Sequence, residues 1–196
     1  TDAAFWLGVT RHMMDNKWYD ESFVKQFTDM PLLVRTDTLK RLRADEVFAD
    51  YQGGLSKEGA SFKVQGLTDE QYKKLGDRVL WDMKTDKPAA VTRDDMGKRL
   101  VQKGIDPALD GKWKIKLLDG SEVEVQTLWS LYQLHLKDYD LDTVAEITHS
   151  PKAMIERLAK DIWETTQNGG PVAIHQGEGI NHWFHATEAN RAAYLP

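Results

Sequence analysis

The sequence predicts an α/β protein, on three observations. In the last third, a long amphipathic stretch, a short apolar run, a glycine-containing loop and a second amphipathic stretch follow one another. Helix, strand, loop and helix in that order build α/β layers. A second region alternates apolar and charged residues on both sides of a glycine turn, as a β-hairpin does. The chain of 196 residues is 41% hydrophobic and holds seven Trp, six Phe and six Tyr, enough large side chains to close a core.

The elements follow from local chemistry. Asp2 is placed to cap a helix starting at Ala3, with Ala3, Leu7, Thr10, Met13 and Met14 on its mostly apolar face up to about Asn16. Asp20 caps a short helix carrying Phe23, Val24 and Phe27. Pro31 to Val34 reads as a short buried strand, and Thr36 to Leu42 as one or two helical turns. From Gly53 to Thr127 the chain holds nine of its 14 glycines and many charges of both signs, which predicts a polar excursion with small elements. Thr68 and Gln71 make a capping box for a helix ended by Gly76, and Thr92 to Lys103, closed by Gly104, predicts another helix.

The hairpin spans 112–126. A three-residue loop, Leu118-Asp119-Gly120 with Gly120 left-handed, sets Lys116 opposite Glu122 and Lys114 opposite Glu124. It also sets Ile115 opposite Val123 and Trp113 opposite Val125. A two-residue loop would oppose Leu117 to Glu122 and Lys116 to Val123, so charge and packing choose the first register. Thr127 then caps a helix with Leu128, Leu131, Tyr132 and His135 on one side. Ser150 as cap and Pro151 at the first helical position open a helix. Its stripe is Met154, Ile155, Leu158, Ala159, Ile162 and Trp163, and Asn168-Gly169-Gly170 end it. Pro171 to His175 reads as a buried strand, Gln176 to Trp183 as a loop, and His185 to Leu195 as a helix.

Composition excludes several functions. Lys and Arg number 26 against 31 Asp and Glu, a net charge of −5, which argues against a whole-chain footprint for nucleic acid. With no cysteine, the chain supplies no disulfide, thiolate metal ligand or cysteine nucleophile. Its longest nearly apolar run, Ala3 to Val9, is far below the roughly 20 residues of a membrane span. The chain opens on Thr1 without Met and stops at Pro196 directly after an apolar helical run; the expectation is an internal fragment of a longer chain.

One dense polar cluster stands out, from His175 to His185. It lies at the carboxyl end of the expected strand, where open α/β sheets bind ligands. Gly177 and Gly179 let the backbone approach a ligand, Asn181 and His182 offer donors, Glu178 an acceptor, and Trp183 a flat wall. A helix amino-terminus beside such a loop favours phosphate groups. The nucleotide fingerprint needs a third glycine where His182 stands, which argues against a simple NAD site. His182 and His185 are three apart and lack the adjoining Glu of a zinc helix, so no metal site is assigned, and hydrogen bonding within the loop is the expected role of the histidines. Arg35, Lys40, Arg41 and Arg43 form a basic cluster offset by Asp37, Asp45 and Glu46, which a solvated helix face explains. The aromatic residues from Phe5 to Trp18 are expected in the core.

Several stretches resemble a known family. Thr1-Asp2-Ala3-Ala4, followed by Trp18-Tyr19-Asp20-Glu21-Ser22-Phe23-Val24, resembles the "TDAAL…LYD..FV" stretch of molybdopterin oxidoreductases, the dimethyl sulfoxide reductase superfamily. Asp29 to Asp37 is similar to the "PLLVR.D" segment of their nitrate-converting branch, and Leu118-Asp119-Gly120-Ser121 leading into Thr127-Leu128-Trp129 also matches it. Gly177 to His185, with Asn190-Arg191-Ala192 behind it, resembles the "G.G.NHW.H…R" loop of nitrate reductase and nitrite oxidoreductase catalytic subunits. Both ends of the chain carry the resemblance well, and Gly53 to Lys112 carries it poorly.

The resemblance implies a fragment of Rossmann-like cofactor-binding domains with a polar insertion. The parts are 1–52 and 128–196, the latter with the loop 176–183, and an insertion at 53–127. It implies a parent holding molybdenum through two molybdopterin guanine dinucleotides, and a 4Fe-4S cluster bound nearer the amino-terminus than Thr1. The implied chemistry is oxygen-atom transfer between nitrite and nitrate. Sister enzymes acting on perchlorate, chlorate, selenate, dimethyl sulfide or a hydrocarbon remain an alternative, as does a non-catalytic nucleotide-binding module. Electrons would pass to an iron–sulfur beta subunit and a membrane or cytochrome subunit, with a small oxyanion as substrate. The complex would be membrane-associated, on the periplasmic or cytoplasmic face. Residue by residue, Thr1 and Asp2 would contact a guanine dinucleotide. Gly177, Glu178, Gly179, Asn181 and His182 would border the pterin cofactor, and Trp183 the route to the metal. The isolated chain is expected to be inactive, because the family's metal ligand and cluster cysteines precede Thr1.

Overall fold

A computed structural model describes residues 2–49, 51, 77–92 and 95–195. In chain order its elements are α1 (Asp2–Asp15), α2 (Glu21–Phe27), β1 (Leu33–Arg35), α3 (Ala44–Val47), β2 (Arg78–Asp82), β3 (Lys87–Val91) and α4 (Lys98–Gln102). β4 (Lys112–Lys116), β5 (Glu122–Thr127), α5 (Leu128–Leu136), α6 (Leu141–Thr148), α7 (Lys152–Gln167), α8 (Glu178–Asn181) and α9 (Ala186–Ala193) follow. Helices and small sheets combine as an α/β chain, in two units. One joins Thr1–Tyr19 to Gln133–Pro196, and the other is Asp20–Tyr132. These are divisions by packing; the divisions at 52/53 and 127/128 follow composition.

The middle unit is built on antiparallel pairing. β5 lies between β1 and β4. Lys116 faces Glu122, Ile115 faces Val123, Lys114 faces Glu124 and Trp113 faces Val125, the register that charge and packing select. Gly120 supplies the left-handed position at φ +87°, and Asp119 accepts from the Ser121 N–H and hydroxyl at 2.9 and 2.6 Å. The inward residues Ile115, Val123 and Val125 join Leu33, Leu42, Ala44 and Val79 in one buried core. β2 and β3 form a second hairpin. At its end the buried Asp82 accepts from the Asp106 N–H at 2.9 Å and the Thr85 hydroxyl at 2.7 Å. Burial pushes that carboxyl up, but these bonds outweigh it and hold it below the usual range. Trp81 stacks on Trp113 with ring centroids 4.8 Å apart.

The other unit packs α1 against α6, α7 and α9. Val9, Met13, Val144, Ile155 and Ala159 form its buried centre, with Phe5, Trp6, Trp18, Leu158 and Ile162 around them. Gly8 lets α1 and α6 come close, since a Cβ there would lie 2.7 Å from Val144 Cγ2.

Several local expectations change. Thr36 to Leu42 is a tight return: the Leu42 N–H bonds the Leu33 carbonyl at 2.8 Å, and Leu39 sits at φ +54°. Leu33 and Leu42 are both fully buried, and their shared core folds the backbone back where a helix would separate them. Helix α4 is shorter than 92–103 because Asp95 closes a turn onto the Thr92 N–H at 2.8 Å and Gly97 turns left-handed at φ +53°. Asp2 is the first residue of α1 itself. Pro151, and not Ser150, occupies the cap position of α7. Helix α9 starts at Ala186, after His185 at φ +62°. Pro171 to His175 forms no strand, and only Ile174 in it is half-buried. A strand needs a neighbour to satisfy its backbone, and among the described residues none lies beside it; every paired strand there is antiparallel. The capping box of Thr68 and Gln71 lies outside the described residues.

Candidate functional site

The chain's first helix and its last loop meet inside one unit. Asp2 and Trp6, one helical turn apart on α1, form one wall of an open cleft of about 490 Å³. Ile174, His175 and Gln176 form the next, and Gly177, Gly179, Ile180 and Trp183 the third. The loop is fastened from α9: Asn190 donates to the Asn181 side-chain oxygen at 2.7 Å and to the Ala186 carbonyl at 2.8 Å. Gln176 in turn donates to the Asn190 carbonyl at 3.2 Å. Helix α9 buries Ala192 and Ala193 and packs on α1, so the loop and the Asp2 end of α1 are positioned by the same packing.

The two glycines have an informative environment. Gly177 is extended at φ −111° and Gly179 lies in the single turn α8, conformations open to any residue. A Cβ on either would meet no atom of the described residues within 4 Å. Neither backbone strain nor packing among the described residues requires glycine at these positions. Trp183 is 72% exposed and Phe184 90% exposed, large apolar surfaces left uncovered within this chain.

The expected site residues divide accordingly. Asp2, Gly177, Gly179 and Trp183 line the cleft together. Glu178 and Asn181 on α8, and His182 just after it, stand outside the lining of the cleft, all exposed. His182 Nε2 and Glu178 Oε2 are 3.9 Å apart in solvent, a contact of little energetic consequence. Thr1 lies outside the described residues. Trp6 and Ile180 are additional lining residues; the four-residue step from Asp2 to Trp6 on a helix was the signal for the first. Among the described residues, no three His, Cys, Asp or Glu side chains gather as a metal-holding group.

The arrangement suits a planar, nitrogen-rich ligand. The Asp2 carboxylate only accepts hydrogen bonds, so it selects paired N–H donors. Indole faces at Trp6 and Trp183 offer stacking surface, and the glycines leave backbone open to close approach.

No family model matches the chain. It is similar to the respiratory nitrate reductase subunit alpha of Haloferax mediterranei, 32% identical over 197 residues, covering 100% of this chain and 18% of that protein. The perchlorate reductase subunit alpha of Dechloromonas aromatica is 29% identical over 218 residues, covering 100% of this chain and 21% of its own. The dimethylsulfide dehydrogenase subunit alpha of Rhodovulum sulfidophilum is 27% identical over 150 residues, covering 72% of this chain and 13% of its own. The chain thus spans about a fifth of the length of the curated relatives it matches throughout.

Proposed function

We propose, from a chain whose homologues are alpha subunits of molybdopterin oxidoreductases, that the cleft between Asp2 and Trp183 is a wall of a guanine dinucleotide cofactor site. The parent protein is then the catalytic subunit of a molybdenum bis(molybdopterin guanine dinucleotide) enzyme interconverting nitrite and nitrate. The observation that carries this reading is the meeting of Asp2, Gly177, Gly179 and Trp183 in one cleft, where two glycines serve no need of the chain's own fold. A bound cofactor supplies that need, because a side chain on either glycine would occupy its space.

The residues fit the group. Asp2 can accept the paired N–H donors of a guanine edge, Trp6 and Trp183 can flank planar rings, and Gly177 and Gly179 can take close contact through backbone. Asn181, fastened by Asn190, fixes the loop, while Glu178 and His182 are solvent-facing groups available to the cofactor's rim. When bound, the cofactor holds the metal at which an oxygen atom is transferred: nitrite and water give nitrate, two protons and two electrons, or the reverse. This chain contributes binding, orientation and exclusion of water, and no metal ligand.

In that parent, 53–127 is a polar insertion between cofactor-binding parts 1–52 and 128–196. The joint packing of Thr1–Tyr19 with Gln133–Pro196 supports the two ends of the chain belonging together, whereas 20–52 packs in the same unit as the insertion. Electrons leave through a 4Fe-4S cluster to an iron–sulfur beta subunit and a membrane or cytochrome subunit, in a membrane-associated complex. No helix among the described residues is long and apolar enough to cross a membrane. A second reading is a sister enzyme reducing another oxyanion, favoured by the perchlorate reductase subunit alpha being nearly as similar as the nitrate reductase one.

Substitution in the full-length protein tests the assignment. Asn181→Ala and His182→Ala should each lower guanine dinucleotide content or turnover severalfold, with Asn181→Ala the larger because it also frees the loop from Asn190. Full occupancy and an unchanged rate in both variants would remove these residues from the site. Competition among nitrate, nitrite and perchlorate in the same preparation separates the two readings of substrate.

A further inference from the structure

The return of the chain after β1 opens a second cleft, within the unit Asp20–Tyr132. It encloses about 520 Å³, and its lining includes the cations Arg35, Lys40, Arg41, Arg43 and Arg78 beside one carboxylate, Glu46. The helix that would have spread these basic residues over a solvated face is absent; the return gathers them.

Their charges are unevenly matched. Both oxygens of Glu46 are engaged, by Arg35 Nη1 at 2.8 Å and by the Arg43 backbone N–H at 2.8 Å. Arg35 also pairs with Asp37, Arg43 with Asp45, and Arg41 with Asp29 at 2.9 Å. Among the described residues, Lys40 and Arg78 have no carboxylate within ion-pair distance. Arg78 Nη1 donates to the Asp77 carbonyl at 3.1 Å, and its Nε is buried without a hydrogen-bond partner. Buried donors are nearly always paired in folded proteins, so the Arg78 guanidinium is left short of acceptors. Burial, with the charges of Arg43 and Arg41, also pushes the Arg78 pKa down, against the opposing fields of Asp77 and Asp29. An anion would relieve that crowding.

A neighbouring cleft of about 350 Å³ shares Arg41 and Arg78 and presents Leu32, Leu80, Val91 and Leu100. We propose that Arg78, Arg41 and Lys40 form a binding site for a phosphate group, free or carried on an organic molecule whose apolar body enters the adjoining cleft. Guanidinium forks match phosphate oxygens in pairs, and a tetrahedral group offers acceptors to several cations at once. The site shares no lining residue with the cleft of Asp2 and Trp183 and stands independently of the function proposed for it.

Calorimetric titration of the full-length protein with inorganic phosphate, and separately with phenyl phosphate, tests this at constant ionic strength. Both should bind, and Arg78→Gln should weaken binding about tenfold or more. Lys40→Gln, at an exposed position, is the second variant should Arg78→Gln fail to fold, and should weaken binding severalfold. Phenyl phosphate binding more tightly than phosphate assigns the site to an organic phosphate, and equal affinity assigns it to the free ion. Absence of binding in the unmodified full-length protein, or unchanged affinity in the folded variants, overturns the proposal.

Discussion

Phenylalanine in place of Gly179 is expected to reduce the guanine dinucleotide content of the full-length protein about tenfold or more, equivalent to roughly 1.4 kcal/mol of lost binding. Gly179 lies in the single helical turn α8, at a backbone conformation any residue adopts, and a Cβ there meets nothing among the described residues within 4 Å. Helix propensity slightly favours Phe over Gly, so the chain should unfold at an unchanged midpoint. The new ring stands instead at the edge of the cleft that Asp2, Trp6 and Trp183 line, in space assigned to the cofactor. Guanine nucleotide released by acid, together with molybdenum content, reads the result. Full cofactor content in a folded Gly179→Phe protein would mean that the glycine faces open solvent and nothing else.

Ile155→Ala should cost about 2–5 kcal/mol, by lost transfer energy and the cavity left behind. Ile155 is fully buried where α7 meets α1, among Val9, Met13, Val144 and Ala159. The close contact of Gly8 with Val144 leaves this interface little room to collapse around a deletion. Met154, its neighbour on the same helix, is 66% exposed, and Met154→Ala should change stability by no more than about 0.5 kcal/mol. Urea unfolding of the two variants, with amide exchange resolved for α1 and α7, measures the contrast. Exchange should accelerate in those helices for Ile155→Ala alone. Equal effects of the two substitutions would contradict the packing described.

What was legible in the sequence follows the range of the interactions involved. The hairpin is local: period-two alternation, opposed Lys and Glu, and a glycine at the left-handed loop position settle its register within fifteen residues. Asp20 and Thr127 cap their helices through their own side chains, bonding the N–H groups of Phe23 and Ser130. The stripe of α7 is likewise visible in its three- and four-residue spacing. Thr36 to Leu42 misleads because its backbone is set by Leu33 and Leu42 sharing a distant core, which no spacing rule registers. Pro171 to His175 has the composition of a strand, but strands are made by neighbours. Helix α6 carries a signal of the same kind as Asp20, since Asp140 caps it onto the N–H groups of Asp142 and Thr143, and the sequence reading passed over it.

The candidate site was half legible. The loop from Gly177 to Trp183 announces itself by density of polar and glycine residues. That Asp2 shares a cleft with it, and that Glu178, Asn181 and His182 stand outside the lining, depends on how α9 packs on α1. Spacing along the chain carries none of that. The basic cluster after β1 shows the same limit: its residues are obvious, and only the return of the backbone brings Arg78 among them.

The most direct test of the cofactor cleft is the oxidation rate of Trp183 in the full-length protein, loaded with cofactor and made without it. Trp183 is 72% exposed in this chain. Comparing two states of the same protein removes any shielding by its other domains. Residue-resolved mass spectrometry after brief oxidation should find Trp183 protected severalfold in the loaded protein and reactive in the cofactor-free one, with exposed Met154 oxidised equally in both. Equal oxidation of Trp183 in the two states would place the cofactor elsewhere and contradict the account.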